Sequence, residues 1–195
     1  MKAVVELPST WEEWHIPFSQ DQITLREART SLERLGAKQD EIPFMVQLVE
    51  NPRYDLPGLD LFHGKVDLKR HDAIHILLGR GLLSKDEAFV IGFTMGSTHK
   101  VTTLEENLYA LVSRRLYPKG FQFDAEDIRI FKDATKLGHI SDCRALDKVD
   151  FDACLDMKLR DIRAKLGLEL DLILAYYRIE QRRYPQAKAS GQLLC

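Results

Sequence analysis

The chain reads as all-α, a single-domain helical bundle of seven or eight helices. No segment alternates polar and apolar residues with period two for long enough to make a strand. Apolar residues recur at three and four positions instead, and capping residues punctuate them. A length of 195 residues suffices for one full hydrophobic core. With 45% hydrophobic and 30% charged residues, the balance is that of an ordinary globular protein.

Residues 1–20 mix Pro8 and Pro17 with Trp11, Trp14 and Phe18 and show no clear period. They read as an arm that packs by its aromatics on the body, residues 21–195, or on a second subunit of a homodimer. From Gln22 to Leu35, Leu25, Ala28, Leu32 and Leu35 fall at helical spacing, and Gly36 is a natural stop. Asp40 caps a short helix through Phe44, Val46, Leu48 and Val49, which Asn51-Pro52 ends. Residues 52–66 follow as a loop, either plain connection or one wall of a pocket.

Asp67 caps the next helix, which carries His71, Asp72 and His75 and breaks at Gly79. A second helix follows, with Ser84 as its cap, and Ala88 to Ser97 carry no charge, so it is a buried helix. Gly92 and Gly96 form a small ridge on it, for close approach of another helix or for a flat or chain-like ligand. Thr103 with Glu106 reads as a capping box opening a helix whose stripe is Leu104, Leu108, Leu111, Val112 and Leu116, to Tyr117-Pro118. Asp124 opens another, through Ile128, Phe131, Ala134 and Leu137 to Gly138.

Residues 139–149 are polar and looped. A helix is expected from Phe151 to Leu166, stopped by Gly167, and a last one from about Leu168 to Arg183 with Leu170, Ile173, Leu174 and Tyr177 as its stripe. Arg178, Arg182 and Arg183 end that helix, where cations suit the dipole or an anionic lipid surface.

Composition excludes several classes. A net charge of −2 argues against a nucleic-acid partner, since phosphate binding needs clustered excess cations. The uncharged run from Ala88 to His99 is too short for a bilayer, and the N-terminus lacks a signal-peptide core. A cytoplasmic protein is the expectation. Cys143, Cys154 and Cys195 are odd in number and lack metal-type spacing, which fits reduced thiols.

The chemistry concentrates at His71-Asp72-Ala73-Ile74-His75 and Glu87. Residues four apart on a helix share a face, so both imidazoles and the adjacent Asp72 occupy one arc at the edge of the buried stripe. If the two helices form a hairpin across Gly79 and Gly81, Glu87 folds back as a fourth ligand. Neutral imidazole with carboxylate suits zinc or iron; a site leaning on Asp72, Glu87 and water suits magnesium or manganese. The other reading of Glu87 is a capping box from Ser84, which needs no metal, and two histidines at this spacing also occur on solvated faces. The buried helix that follows favours a partner for Glu87. Lys69 and Arg70, just before His71, form a solvated first turn or attract an acidic head group. His15, His63, His99 and His139 read as isolated.

His71-Asp72-x-x-His75, eleven residues and Glu87, with Leu77-Leu78-Gly79 after the second histidine, resembles the signature of the coenzyme Q biosynthesis protein 4 family over roughly residues 65 to 100. The resemblance implies an all-helical protein of ubiquinone biosynthesis. Its divalent metal, zinc first and magnesium, manganese or iron otherwise, would be held by His71, Asp72, His75 and Glu87. It further implies binding of an isoprenoid quinone precursor or prenyl lipid, oxidative decarboxylation of the ring precursor, and organisation of other biosynthetic proteins at the inner membrane surface. The turn departs from the family: Arg80-Gly81-Leu82-Leu83-Ser84 replaces a Pro-Thr-Asn-like segment, and Gly-Phe-Thr-Met-Gly replaces a Trp-containing helix. A divergent branch is the reading. The alternatives are a non-catalytic isoprenoid-lipid scaffold and a metal-dependent phosphohydrolase drawing on His63, His99 and Asp67.

Overall fold

A computed structural model describes residues 10–34, 63–64, 66–115 and 122–194. Among the described residues there are eight α-helices and no strand, in one helical domain. They are α1 (Leu25–Glu33), α2 (Leu68–Leu78), α3 (Ser84–Ser97), α4 (Thr103–Arg115), α5 (Ala125–Ile140), α6 (Leu159–Leu166), α7 (Leu170–Arg183) and α8 (Lys188–Gln192). The helix expected at Asp40–Val49, most of the 52–66 loop, and Cys195 lie outside the described residues.

α3 is the central rod. Every residue from Ala88 to Ser97 is buried, as its uncharged sequence demands. It runs parallel to α5 in a fixed register, with Gly92 against the Phe131 carbonyl and, one turn on, Gly96 against the Thr135 carbonyl. Gly138 answers from α5, against the Phe93 carbonyl. A methyl group at any of the three would collide with backbone, so the small ridge serves close helix approach and leaves no room for a ligand between these two helices. α5 therefore continues through Gly138 to Ile140 instead of stopping there.

Several boundaries differ from the sequence reading. The box that opens α4 is Thr102 with Glu105, one residue early: Thr102 Oγ1 accepts from the Glu105 N–H at 3.2 Å, and Glu105 Oε2 accepts from the Thr102 N–H at 2.8 Å. The helix is accordingly turned so that Tyr109 and Ser113 face the core. Leu104, Leu108 and Leu111, expected inside, are exposed at 77%, 38% and 47%. The segment expected as one helix from Phe151 is a single 3-10 turn, Asp152–Cys154, before α6 starts at Leu159. Its backbone is engaged elsewhere: the N–H groups of Leu25 and Arg26 donate to the carbonyls of Met157 and Leu155, and Leu159 N–H donates to Ile23. α8 was not foreseen.

The described part of the arm is built into the body. Trp14 and Ile16 are buried, and Trp14 Nε1–H donates to Ser31 Oγ on α1 at 3.0 Å. Phe18 stacks on Tyr177 of α7. Of the C-terminal arginines, Arg183 pairs with Asp133 of α5 at 2.6 Å, while Arg178 and Arg182 are exposed. Cys143 and Cys154 are free and buried, and burial pushes the Cys143 thiol up to about 12.

Replacing Gly96 by Ala should separate α3 from α5 and lower the free energy of unfolding by about 3 kcal/mol, as overpacking does in a rigid interior. Urea denaturation of Gly96→Ala beside wild type measures this.

Candidate metal centre

α2 starts at Asp67, whose Oδ1 accepts from the Arg70 N–H at 3.0 Å, as a helix cap does. It ends at Gly79 in the left-handed conformation (φ 65°), where glycine is favoured. The chain then crosses Arg80 to Leu83 and enters α3, which folds back so that Glu87 meets the histidines.

The cap of α3 decides what Glu87 is free to do. Leu83, not Ser84, occupies the cap position, and Asp86 Oδ2 accepts its N–H at 3.1 Å. The capping duty therefore falls to Asp86. Glu87 lies about 100° further round the helix and points to the imidazoles.

His71 Nε2 lies 2.8 Å from Glu87 Oε2, His75 Nε2 lies 3.3 Å from Glu87 Oε1, and the two Nε2 atoms are 2.9 Å apart. His75 Nδ1 is 2.6 Å from the Gly81 carbonyl. A carbonyl only accepts, so Nδ1 carries the proton, and in the neutral ring Nε2 presents a lone pair to the cluster. That is how a metal-bound histidine is oriented: its outer nitrogen donates to a carbonyl and thereby fixes its tautomer.

The residues fit a divalent cation. Ligand atoms of His71, His75 and Glu87 all lie within 4.8 Å of one another. Two nitrogens on one tetrahedral zinc, each at about 2.0–2.1 Å, are about 3.3 Å apart. The rings need only spread slightly. Without a cation, a proton must sit between atoms that otherwise oppose lone pair to lone pair and to carboxylate. Burial pushes the Glu87 carboxyl up, but the charges of His75 and His71 and their hydrogen bonds outweigh it and hold the group well below the usual carboxylate range.

Asp72 is not in that three-residue group. Its carboxyl stands beside it, pushed up by burial, pulled down by His71 and His75, and raised again by Glu87. His75 is fully buried, so the edge of the core passes through His71 and Glu87, which are 15% and 30% exposed. Lys69 is exposed, and Arg70 Nε is 3.7 Å from Asp67 Oδ2; neither belongs to the cluster. The single histidines are less single than they read. His63 Nδ1 is 2.6 Å from Glu105 Oε1, and the His99 and His139 rings lie 5.5 Å apart.

The sequence reading gave no role to Asp86 and took Gly81 only as part of the break, whereas its main-chain oxygen meets His75. The signal for Asp86 was present, because Asp three residues after Leu83 can take a cap N–H as well as Glu three residues after Ser84. Nothing in the sequence marks a carbonyl.

The chain was compared with protein-family models, curated proteins and solved structures, and none matches it.

In the metal-free protein the depressed Glu87 carboxyl contributes stability that is present above its ordinary pKa of 4.5 and is lost as pH falls through its lower folded value. Glu87→Gln should lower the Tm at mildly acid pH above 4.5, where the wild-type carboxylate is ionised. The gap from wild type should close at more acid pH. Thermal unfolding followed by circular dichroism across this range tests the sign.

Proposed function

We propose that this protein binds a divalent metal ion through His71, His75 and Glu87 and uses it to engage an oxygen-bearing small molecule. The observation that carries this reading is the convergence of three donor groups from two helices, with the His75 tautomer set by the Gly81 carbonyl. Two imidazoles and one carboxylate leave coordination positions over, the pattern of catalytic rather than closed structural sites. When bound, the ion would act as a Lewis acid toward a ring oxygen or carboxylate, or bind the oxidant.

The protein's own groups divide the remaining work. His71 and His75 hold the ion as neutral donors, Glu87 neutralises part of its charge, and Asp72 adds a carboxylate beside them. Lys69 and Arg70 sit at the open end of α2, where they suit an acidic group on the ligand. Zinc is the first choice for this donor set, then iron; magnesium and manganese would lean on Asp72 and water.

The resemblance to the coenzyme Q biosynthesis protein 4 family extends the proposal to substrate class: an isoprenoid quinone precursor, modified at its ring. A non-catalytic prenyl-lipid-binding or scaffolding role among other biosynthetic proteins, peripheral to a membrane, is the second reading. The exposed stripe of Leu104, Leu108 and Leu111 favours it. Among the described residues no helix is long and apolar enough to cross a membrane. A phosphohydrolase would need more ligands, and those nominated are occupied: His63 with Glu105, His99 beside His139, and Asp67 as the α2 cap.

Elemental analysis of the purified protein should return one equivalent of a transition metal, with His71→Ala, His75→Ala and Glu87→Ala each reducing it below a tenth. Affinity should fall as the solution is acidified, because protons compete with the metal for the imidazole nitrogens. A full complement of metal in His75→Ala would refute the assignment. Turnover of a quinone precursor that vanishes with chelator supports chemistry; prenyl lipid retained after chelation supports carriage.

A further inference from the structure

The turn that supplies the Gly81 carbonyl is clamped from the far side of the molecule. Arg80 is fully buried, as is Glu180 on α7, a hundred residues away in sequence. Arg80 Nη1–H and Nη2–H donate to Glu180 Oε1 and Oε2 at 3.0 and 2.6 Å, a bidentate pairing that fixes the guanidinium in plane as well as in position. The guanidinium lies between two rings, 4.0 Å from the centre of Phe89 on α3 and 4.3 Å from that of Tyr177 on α7. Ser190 on α8 donates to Glu180 Oε1 at 3.1 Å. Asp86, which caps α3, is 3.6 Å from Arg80 Nη1.

The main chain of the same arginine connects this clamp to the candidate centre. Arg80 N–H donates to the carbonyl of His75 at 3.0 Å, and the next residue, Gly81, receives the proton of His75 Nδ1. Gly81 itself is hemmed in, with the Trp14 carbonyl 2.8 Å and Asp86 Oδ2 3.0 Å from where a β-carbon would stand. The turn has little freedom once Arg80 is held.

We propose that Glu180 is a positioning residue for the metal centre: through Arg80 it holds the Gly81 carbonyl on His75 Nδ1 and so keeps His75 Nε2 available as a ligand. The inference rests on the metal-binding reading for its purpose, though the effect on the His75 ring does not depend on metal. Here the residue next to the anchored one sets the ring's tautomer. α7 and α8 thus become part of the site although neither contributes a donor to the ion.

Two readouts on the intact chain test this, comparing wild type, Glu180→Gln and a core variant, Leu146→Ala, whose N–H meets Ser97 at the end of α3 away from the turn. The first is ring-nitrogen NMR of metal-free protein, which reports the His75 tautomer. Wild type and Leu146→Ala should show Nδ1 protonated, and Glu180→Gln a mixture. The second is Co(II) titration by visible absorption with Zn(II) competition. Glu180→Gln should bind about 10–100-fold more weakly, the usual cost of a disturbed outer partner, with an altered band envelope, while Leu146→Ala keeps both.

An unchanged tautomer in folded Glu180→Gln overturns the proposal, as does an equal shift in Leu146→Ala. Should Glu180→Gln fail to fold, Ser190→Ala decides. Removing its one hydrogen bond should loosen the carboxylate enough to shift the tautomer ratio; an unshifted ratio overturns the proposal. If wild type takes up no cobalt or zinc while Glu180→Gln still shifts the tautomer, positioning stands and metal binding falls.

Discussion

The structure depends on how the C-terminal end of α2 is satisfied. A buried helix end leaves carbonyls that water cannot reach, and each one unpaired would cost about 1–3 kcal/mol. Here the His75 carbonyl takes Arg80 N–H and the Ile76 carbonyl takes Gly79 N–H, both by the left-handed reversal at Gly79. Arg163 of α6 then reaches in, donating from Nη2 to Ile76 and from Nε to Leu77 at 3.2 and 3.0 Å, and Tyr177 OH donates to Leu78 at 2.6 Å. Burial holds the Arg163 guanidinium down to about 10, so it remains charged at neutral pH and favourable to the negative end of the helix dipole. Three helices are tied at one point. His75, one turn back from it, cannot wander.

Close packing and polar satisfaction share the interior between them. α3 and α5 meet backbone to backbone through glycines. α2, α6 and α7 meet through long polar side chains threaded to main-chain oxygens. The first contact sets where α3 lies along the bundle; the second sets where α2 ends. Glu87 and His75 belong to these two helices, so the distance between them is inherited from two unrelated kinds of packing.

Much of this was legible in the chain. Spacing four apart put both imidazoles on one face, Gly79 announced the reversal, and an uncharged run marked α3 as the buried rod. The site differed where chemistry lies in the main chain or in register. Asp86 and Glu87 are neighbours of the same charge type, and periodicity cannot say which of them caps the helix when the cap shifts from Ser84 to Leu83. α4 failed for a related reason. Its leucines recur at helical spacing, but so do Tyr109 and Ser113 on the opposite side, and a stripe does not say which way it faces. Residues after Phe151 have helical spacing too, yet their carbonyls are claimed by the chain around Ile23 to Arg26, a pairing across more than a hundred positions that no local pattern reveals.

The connection from Gly79 to Leu83 also behaves as a phase setter. Surface connections ordinarily tolerate gain or loss of a residue, but each residue added before α3 would rotate that helix by about 100° relative to α2. One insertion would carry Glu87 away from the imidazoles and turn Asp86 toward them at the cost of its bond to the Leu83 N–H, while also moving Phe89 off the Arg80 guanidinium. Length in this segment is therefore constrained as tightly as residue type, and chains that share the site should keep the span of the turn as they keep Gly79 and Arg80.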